Sequence, residues 1–329
     1  MSLGPAGQLK GLPGGYDGAP VSAAHTHPTE PTVPRTRLPD PAEPIPELAL
    51  PTVLLYVTAL VSFAGSTALA LAGAIPYPIA IVINTIASYM FFTVLHDACH
   101  RSVSQRDGVN RWLGRLSGPF VSPLASYSMF RFIHMQHHRF TNDHDGQDPD
   151  AYTSNGPAWS WPLRWATLDL SYIRFYLPRL GTRPRAERVE SAATLVIALA
   201  VLTAFALLAG LVPLLLLVIL PTRLTVAFLG LVFDWLPHHG LSSTPQEDRF
   251  KTTRNRVGWE RLMTPVFLYQ NYHLVHHLHP LIPFYRYLVA WRRNEEAYLE
   301  HDPPLATAAG RELSVEQYRR MRGIGSGEK

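Results

Sequence analysis

His134-Met135-Gln136-His137-His138 places three imidazoles at positions i, i+3 and i+4, and on a helix all three project from one face. Upstream stands His96-x3-His100, and far downstream His273-x2-His276-His277, so eight of the fifteen histidines fall in three short boxes. None of the three lies in a His-rich low-complexity tract. The reading of the chain turns on what needs this many neutral nitrogen ligands in one place.

Composition points to a membrane. Of 329 residues, 47% are hydrophobic and only 16% charged, a low charged share for a soluble domain. Leu54 to Ile75 and Ile79 to Leu95 are apolar runs of about 20 residues, the length that crosses ~30 Å of hydrocarbon. The Pro76-Tyr77-Pro78 connection between them permits only an antiparallel hairpin. Ala192 to Leu208 and Leu211 to Leu236 form a second pair, and no charge occurs from Ala192 to Leu220. The spans are thus expected at about 54–75, 79–95, 192–208 and 211–236.

Arginine and lysine give the orientation, because positive residues stay on the cytoplasmic side. Residues 96–190 hold twelve arginines, residues 237–329 hold thirteen Lys and Arg, and the short turns at 73–78 and 209–213 hold none. Only Arg223 falls inside a span. Both termini and all three boxes are therefore expected on the cytoplasmic face. The expected class is an all-α integral membrane protein: four transmembrane helices in two hairpins, with a cytoplasmic helical cap carrying a histidine-rich dimetal site.

Residues 1–47 carry ten prolines with much Gly and Ala and read as a disordered tail that includes His25 and His27. Residues 48–300 form the membrane domain and 301–329 a C-terminal cytoplasmic tail. No secretory signal opens the chain, since its first apolar run begins near residue 48. Leu113 to Phe132, broken by Gly118, Pro119 and Pro123, is expected as an interfacial or re-entrant segment. The aromatic and arginine mix from Trp159 to Tyr176, and again from Pro283 to Trp291, is expected at headgroup level. One cysteine, Cys99, excludes an intrachain disulfide and an iron–sulfur cluster built by this chain alone. No nucleotide fingerprint or phosphate loop occurs, and no nucleic-acid partner is expected.

His96 and His100 lie at the end of the second span, and Asp234-x3-His238 ends the fourth, which makes His238 a ninth ligand candidate. A catalytic zinc takes three protein ligands and a structural one four, so nine imidazoles suit two ions. Imidazole alone does not choose between iron, copper and zinc. Asp97, Asp143 and Asp234 are candidates to orient ligand imidazoles, and Asn271 to cap the third box or hold a bound water. Asp145, Asp148 and Asp150 read mainly as solvated charges, and His144, His239, His279 and His301 as supporting or surface residues.

These motifs resemble the membrane fatty acid desaturase superfamily over about residues 50–290. His-Asp-Ala-Cys-His, His-Met-Gln-His-His with Asn142-Asp143 and Asp148-Pro149-Asp150, Phe233-Asp234-Trp235-Leu236-Pro237-His238 and Gln270-Asn271-Tyr272-His273 look most like the β-carotene hydroxylases of desaturase type. Asp234 occupies the place where acyl desaturases more often carry Asn. The resemblance implies two iron ions held by His96, His100, His134, His137, His138, His238, His273, His276 and His277. It further implies O2 as co-substrate and oxidation of a C–H bond on a long lipophilic substrate, a carotenoid ring first and a fatty acyl chain second. Since the chain has no flavin, nicotinamide or haem motif, an external ferredoxin-like or small haem protein is the expected electron donor. Zinc-dependent hydrolysis, a bis-histidine haem electron carrier and a non-catalytic metal-binding membrane protein are the competing classes.

Overall fold

The computed structural model describes residues 37–143 and 145–324. His25, His27, the expected tail up to residue 36, and His144 lie outside the described residues. The chain is mainly helical, and among the described residues four helices are long and apolar enough to cross a membrane: α1 (Leu50–Leu71), α2 (Tyr77–Cys99), α7 (Arg185–Ala209) and α8 (Leu211–His238). Between the two hairpins lie α3 (Asp107–Ser117), α4 (Tyr127–Phe140), α5 (Trp161–Ala166) and α6 (Leu168–Tyr176). After the last span come α9 (Glu260–Val266), α10 (His273–Leu278), α11 (Tyr287–Arg293) and α12 (Val315–Arg322).

The boundaries differ from expectation for local reasons. α1 starts four residues early because Pro51 suits a first helical turn, and it ends before Gly73, whose φ of 72° begins the hairpin turn. α2 continues without a break to Cys99, so His96 is held on a regular helix and His100 at its C-cap. α7 begins at Arg185 behind Pro184; Arg183–Glu187 (2.9 Å) and Arg115–Glu190 (2.7 Å) ion pairs hold its polar first turns.

α8 is not uniform. Its helical ladder widens to π-helix over Leu215–Ile219 and again over Gly230–Trp235. Pro221 has no N–H to give the Leu217 carbonyl, and Asn84 on α2 supplies the donor instead, Nδ2 to Leu217 O at 2.7 Å. Ser66 and Thr67 on α1 hold the same Asn84 amide, at 2.5 and 3.0 Å, so one polar cluster links three spans. Arg223, the charge inside α8, forms a two-pronged ion pair with Asp169 of α6, which also accepts from Ser122 Oγ at 2.9 Å. At Gly230 a Cβ would stand 2.7 Å from Trp165 Cα, so the absence of a side chain is what lets α5 lie against α8.

The segments after α8 form one buried cluster around Trp291, Tyr287, Tyr298 and Tyr318. Trp291 is 0% exposed, donates to Tyr318 Oη at 2.9 Å and stacks on Tyr298, so one face of the stretch from Pro283 to Trp291 is core. The stretch from 301, expected as a tail, supplies β2 (Leu305–Thr307), β3 (Glu312–Leu313) and α12. β2 pairs in parallel with β1 (Asn255–Val257) and antiparallel with β3. Residues 37–47 are likewise tied down, Glu43 to Arg286 and Arg293 and the Pro46 carbonyl to Gln105 N. Around α5 and α6, Trp159, Leu163 and Leu170 are exposed, whereas Tyr176 of the aromatic stretch is buried.

Gly230→Ala is expected to destabilise the protein by about 1–3 kcal/mol through overpacking against Trp165. Gly65→Ala, where no atom lies within 4 Å of the new methyl, is expected to leave stability unchanged or slightly raised. Thermal unfolding of both variants in one detergent checks the difference.

Candidate metal centre

The ends of α2 and α8 lie against α4 and α10 through their histidine rings. The nine expected histidines meet there. Among the described residues two groups of imidazoles form, His96, His100, His134, His138 and His276 in one and His137, His238, His273 and His277 in the other, with the ligand nitrogens of each group within 4.8 Å of one another. His96, His134, His137, His273 and His276 are 0–3% exposed.

The nitrogens stand closer than ring packing requires. In the first group His100 Nε2 lies 2.7 Å from His134 Nε2, and His138 Nε2 lies 3.2 Å from His134 and 2.9 Å from His276; His96 Nε2 is 3.1 Å from His276. In the second, His277 Nε2 is 3.3 Å from His137 Nε2 and 3.2 Å from His273 Nε2. Two imidazole nitrogens bound side by side at ~2.1 Å to one ion stand ~3 Å apart, the spacing seen.

The outer nitrogens decide the tautomers. His137 Nδ1 faces Asp148 at 2.9 Å and Asp150 at 3.2 Å, and His273 Nδ1 faces Gln270 Oε1 at 3.1 Å. Each Nδ1 therefore carries the hydrogen, and each Nε2 turns a lone pair inward. His276 Nδ1 meets Tyr287 Oη at 3.0 Å. His238 has both ring nitrogens buried with no hydrogen-bond partner among the described residues, although its ring lies 4.7 Å from His137 and 5.1 Å from His273 and His277. Nitrogens this close either share a hydrogen or repel, and a cation at the centre of each group would satisfy all of their lone pairs at once.

Electrostatics agree. Burial and then the neighbouring imidazoles push His134, His138, His273, His276 and His277 well below the ordinary histidine range, which leaves them neutral donors. His137 goes the other way: burial opposes its charge, but Asp150 and Asp148 outweigh it and raise the group to about 9. The same field that would hold a proton on Nε2 favours a metal cation there. The residues thus fit two ions, five nitrogens for one and four for the other. Ring centroids only 4.3–5.0 Å apart, as for His138 and His137 against His277, leave no flat slot for a porphyrin between facing imidazoles.

The supporting residues differ in part from those expected. Asp97 is buried beside His96, but its nearest oxygen is 3.9 Å from His96 Nδ1, and it accepts from Thr52 and the Phe284 N–H instead. Asp143 does not reach the histidines; it accepts from Asp145 N in its own turn at 2.6 Å. The chain reverses at Asn142 (φ 64°), whose amide is pinned to the Ser243 and Thr252 carbonyls, and this delivers Asp148 and Asp150 to His137. Asp234 is buried and lines a cavity between the spans, with no hydrogen bond to a histidine among the described residues. Asn271 neither caps α10 nor faces the groups; its Nδ2 donates to Arg256 O and Thr264 Oγ1, both at 3.2 Å. Gln270 and Tyr287, which support His273 and His276, were missed. Spacing signals Gln270, three residues before His273 and so on its face, whereas nothing local signals Tyr287.

His239 stacks on Trp235, His279 meets Tyr298 Oη at 2.9 Å and His301 stacks on Phe250, all away from the two groups. Cys99 is buried and faces no ligand group.

A cavity of about 680 Å³, its mouth included, opens between α2, α4, α6 and α8 and ends on His134. Its walls are mainly apolar, Phe92, Val121, Met129, Phe130, Val226 and Leu229 among them, with Asp234 and Tyr172 also in the lining. Phe233 lies between cavity and histidines, 5.0 Å from both His96 and His273 by ring centroids.

The family model described as fatty acid desaturase matches residues 72–309, more than two thirds of the chain and every histidine of both groups. No curated protein matches the chain.

Asp148→Ala or Asp150→Ala is expected to weaken metal binding 10- to 100-fold by freeing the His137 ring, while Asp143→Ala leaves it unchanged. Competition against a chelator of known affinity measures the three side by side.

Proposed function

Because the chain belongs to the fatty acid desaturase family, we propose that it is an O2-dependent di-iron membrane oxidoreductase that oxidises a C–H bond of a long lipophilic substrate, and that the reaction is hydroxylation of a carotenoid ring. The carrying observation is the apolar cavity that runs between the spans and stops at His134. His96, His100, His134, His138 and His276 would hold one iron and His137, His238, His273 and His277 the other. When bound, the pair supplies activation of O2 for attack on an unactivated C–H bond.

The rest falls to the chain's own residues. Phe92, Met129, Phe130 and Leu229 bind an apolar chain or ring and exclude water from the reacting end. His134 and Phe233 fix how near a substrate carbon approaches the histidine groups, and whether hydroxylation or desaturation follows depends on that placement. Asp148 and Asp150 hold the His137 ring by its Nδ1–H, and Gln270 holds His273 in the same way. Tyr172, on the cavity wall with Asp234, donates its Oη hydrogen to Asp150 at 2.6 Å.

The carotenoid assignment rests on the motif detail around the boxes, Asp234 four residues before His238 above all. Acyl desaturation is the runner-up, supported by the family match. The arginine distribution supports a cytoplasmic metal site fed by an external ferredoxin-like or small haem donor, whose acidic surface the basic face would steer.

Expression in a host that makes β-carotene is expected to yield hydroxylated carotenoid, reduced at least 100-fold by His134→Ala. New acyl double bonds without hydroxylated carotenoid would transfer the assignment to fatty acyl chains. Unchanged carotenoids and lipids, with the protein folded and iron-loaded, would reject both substrates.

A further inference from the structure

Away from the cavity, a second pocket is walled by Val232, Leu236 and Pro237 at the end of α8 and by Phe267 just past α9. Its polar lining is Arg254, Arg256, Gln270 and Asn271, and each of the four carries a buried atom with no hydrogen-bond partner among the described residues: Nε of both arginines, Gln270 Nε2 and Asn271 Oδ1. Gln270 and Asn271 are each 3% exposed. Their amides are not free to turn, because Gln270 Oε1 accepts from His273 and Asn271 Nδ2 donates to Arg256 O and Thr264 Oγ1.

The charge is unbalanced. Arg254 reaches exposed Glu312 at 2.9 Å, but Arg256 forms no ion pair among the described residues; its guanidinium touches the Leu236 carbonyl at 3.4 Å. Burial and then Arg254 both work against the Arg256 charge. A half-buried Arg256 guanidinium with no carboxylate of its own, beside an Arg254 whose only carboxylate partner among the described residues is exposed, favours a bound anion. The pocket's empty space is about 200 Å³ with the open mouth counted in, too little for an acyl chain. α9 and the residue before it leave Trp259, Leu262 and Val266 exposed at i, i+3 and i+7, an apolar strip that fits the membrane surface.

We propose that this pocket is a binding site for a phosphate group with at most one ester bond, gripped by Arg256 and Arg254, with Asn271 Oδ1 accepting from its protonated oxygen. The phosphate belongs either to free inorganic phosphate or to the headgroup of phosphatidic acid, and the test separates the two. Full-length protein is purified in a neutral detergent without phosphate. Its unfolding temperature is read with inorganic phosphate against sodium chloride of equal ionic strength, and with dioctanoyl phosphatidic acid against dioctanoyl phosphatidylcholine.

At least one arm is expected to raise the wild-type midpoint by several degrees above its reference, and the arm that responds names the source. Arg256→Met should lose most of that rise and Arg256→Lys retain part of it. Should Arg256→Met fail to fold, Arg254→Met replaces it in the same comparison. No rise in either arm, or an equal rise in wild type and the methionine variant, overturns the site.

Discussion

Lone pairs on neighbouring imidazoles, aimed at one another from four helices, are the constraint on which the rest of the molecule depends. Hydrogen bonds on the outer nitrogens of His137 and His273 fix the hydrogens there, and the inner nitrogen of each then turns a lone pair toward His277 Nε2, at 3.3 and 3.2 Å. Folding brings these nitrogens together without a cation to satisfy all of their lone pairs, so the surrounding structure must hold them rigidly until one is present. The placement of Asp148 and Asp150 eases this, since their field favours positive charge at the Nε2 of His137.

The spans supply that rigidity. α2 carries its helix past the last apolar residue to deliver His96 and His100, and α8, with its ladder widened over Gly230–Trp235, brings Phe233 and His238 against the histidine rings. Asn84 and the Arg223–Asp169 pair tie α8 to its neighbours at the places where proline or charge would otherwise leave polar groups unmet in an apolar setting. The apolar cavity lies between these same helices, so one set of elements positions both the ligands and the approach to them.

Much of this was legible in the chain. Uninterrupted apolar length gives the spans, and i, i+3, i+4 spacing gives the two triads, because both are properties of a single helix. His238 was found from its position at the end of a span. What escaped were relations between distant segments. Asp148 and Asp150 read like ordinary solvated aspartates, and only the turn at Asn142 carries them to His137. Asp143, nearer in sequence, faces its own loop. Tyr287 and Trp291 sit in an aromatic, arginine-rich stretch whose composition matches a headgroup helix, and only packing against Tyr298 and Tyr318 makes one face of it core. Local pattern does not record which surface a later segment will cover, which is also why the strands and helix after residue 301 read as a tail.

The central claim is that two five- and four-nitrogen groups hold two iron ions. Quantifying metal on the purified, folded protein tests it most directly. About two irons per chain is the result this account requires; one zinc per chain would contradict it.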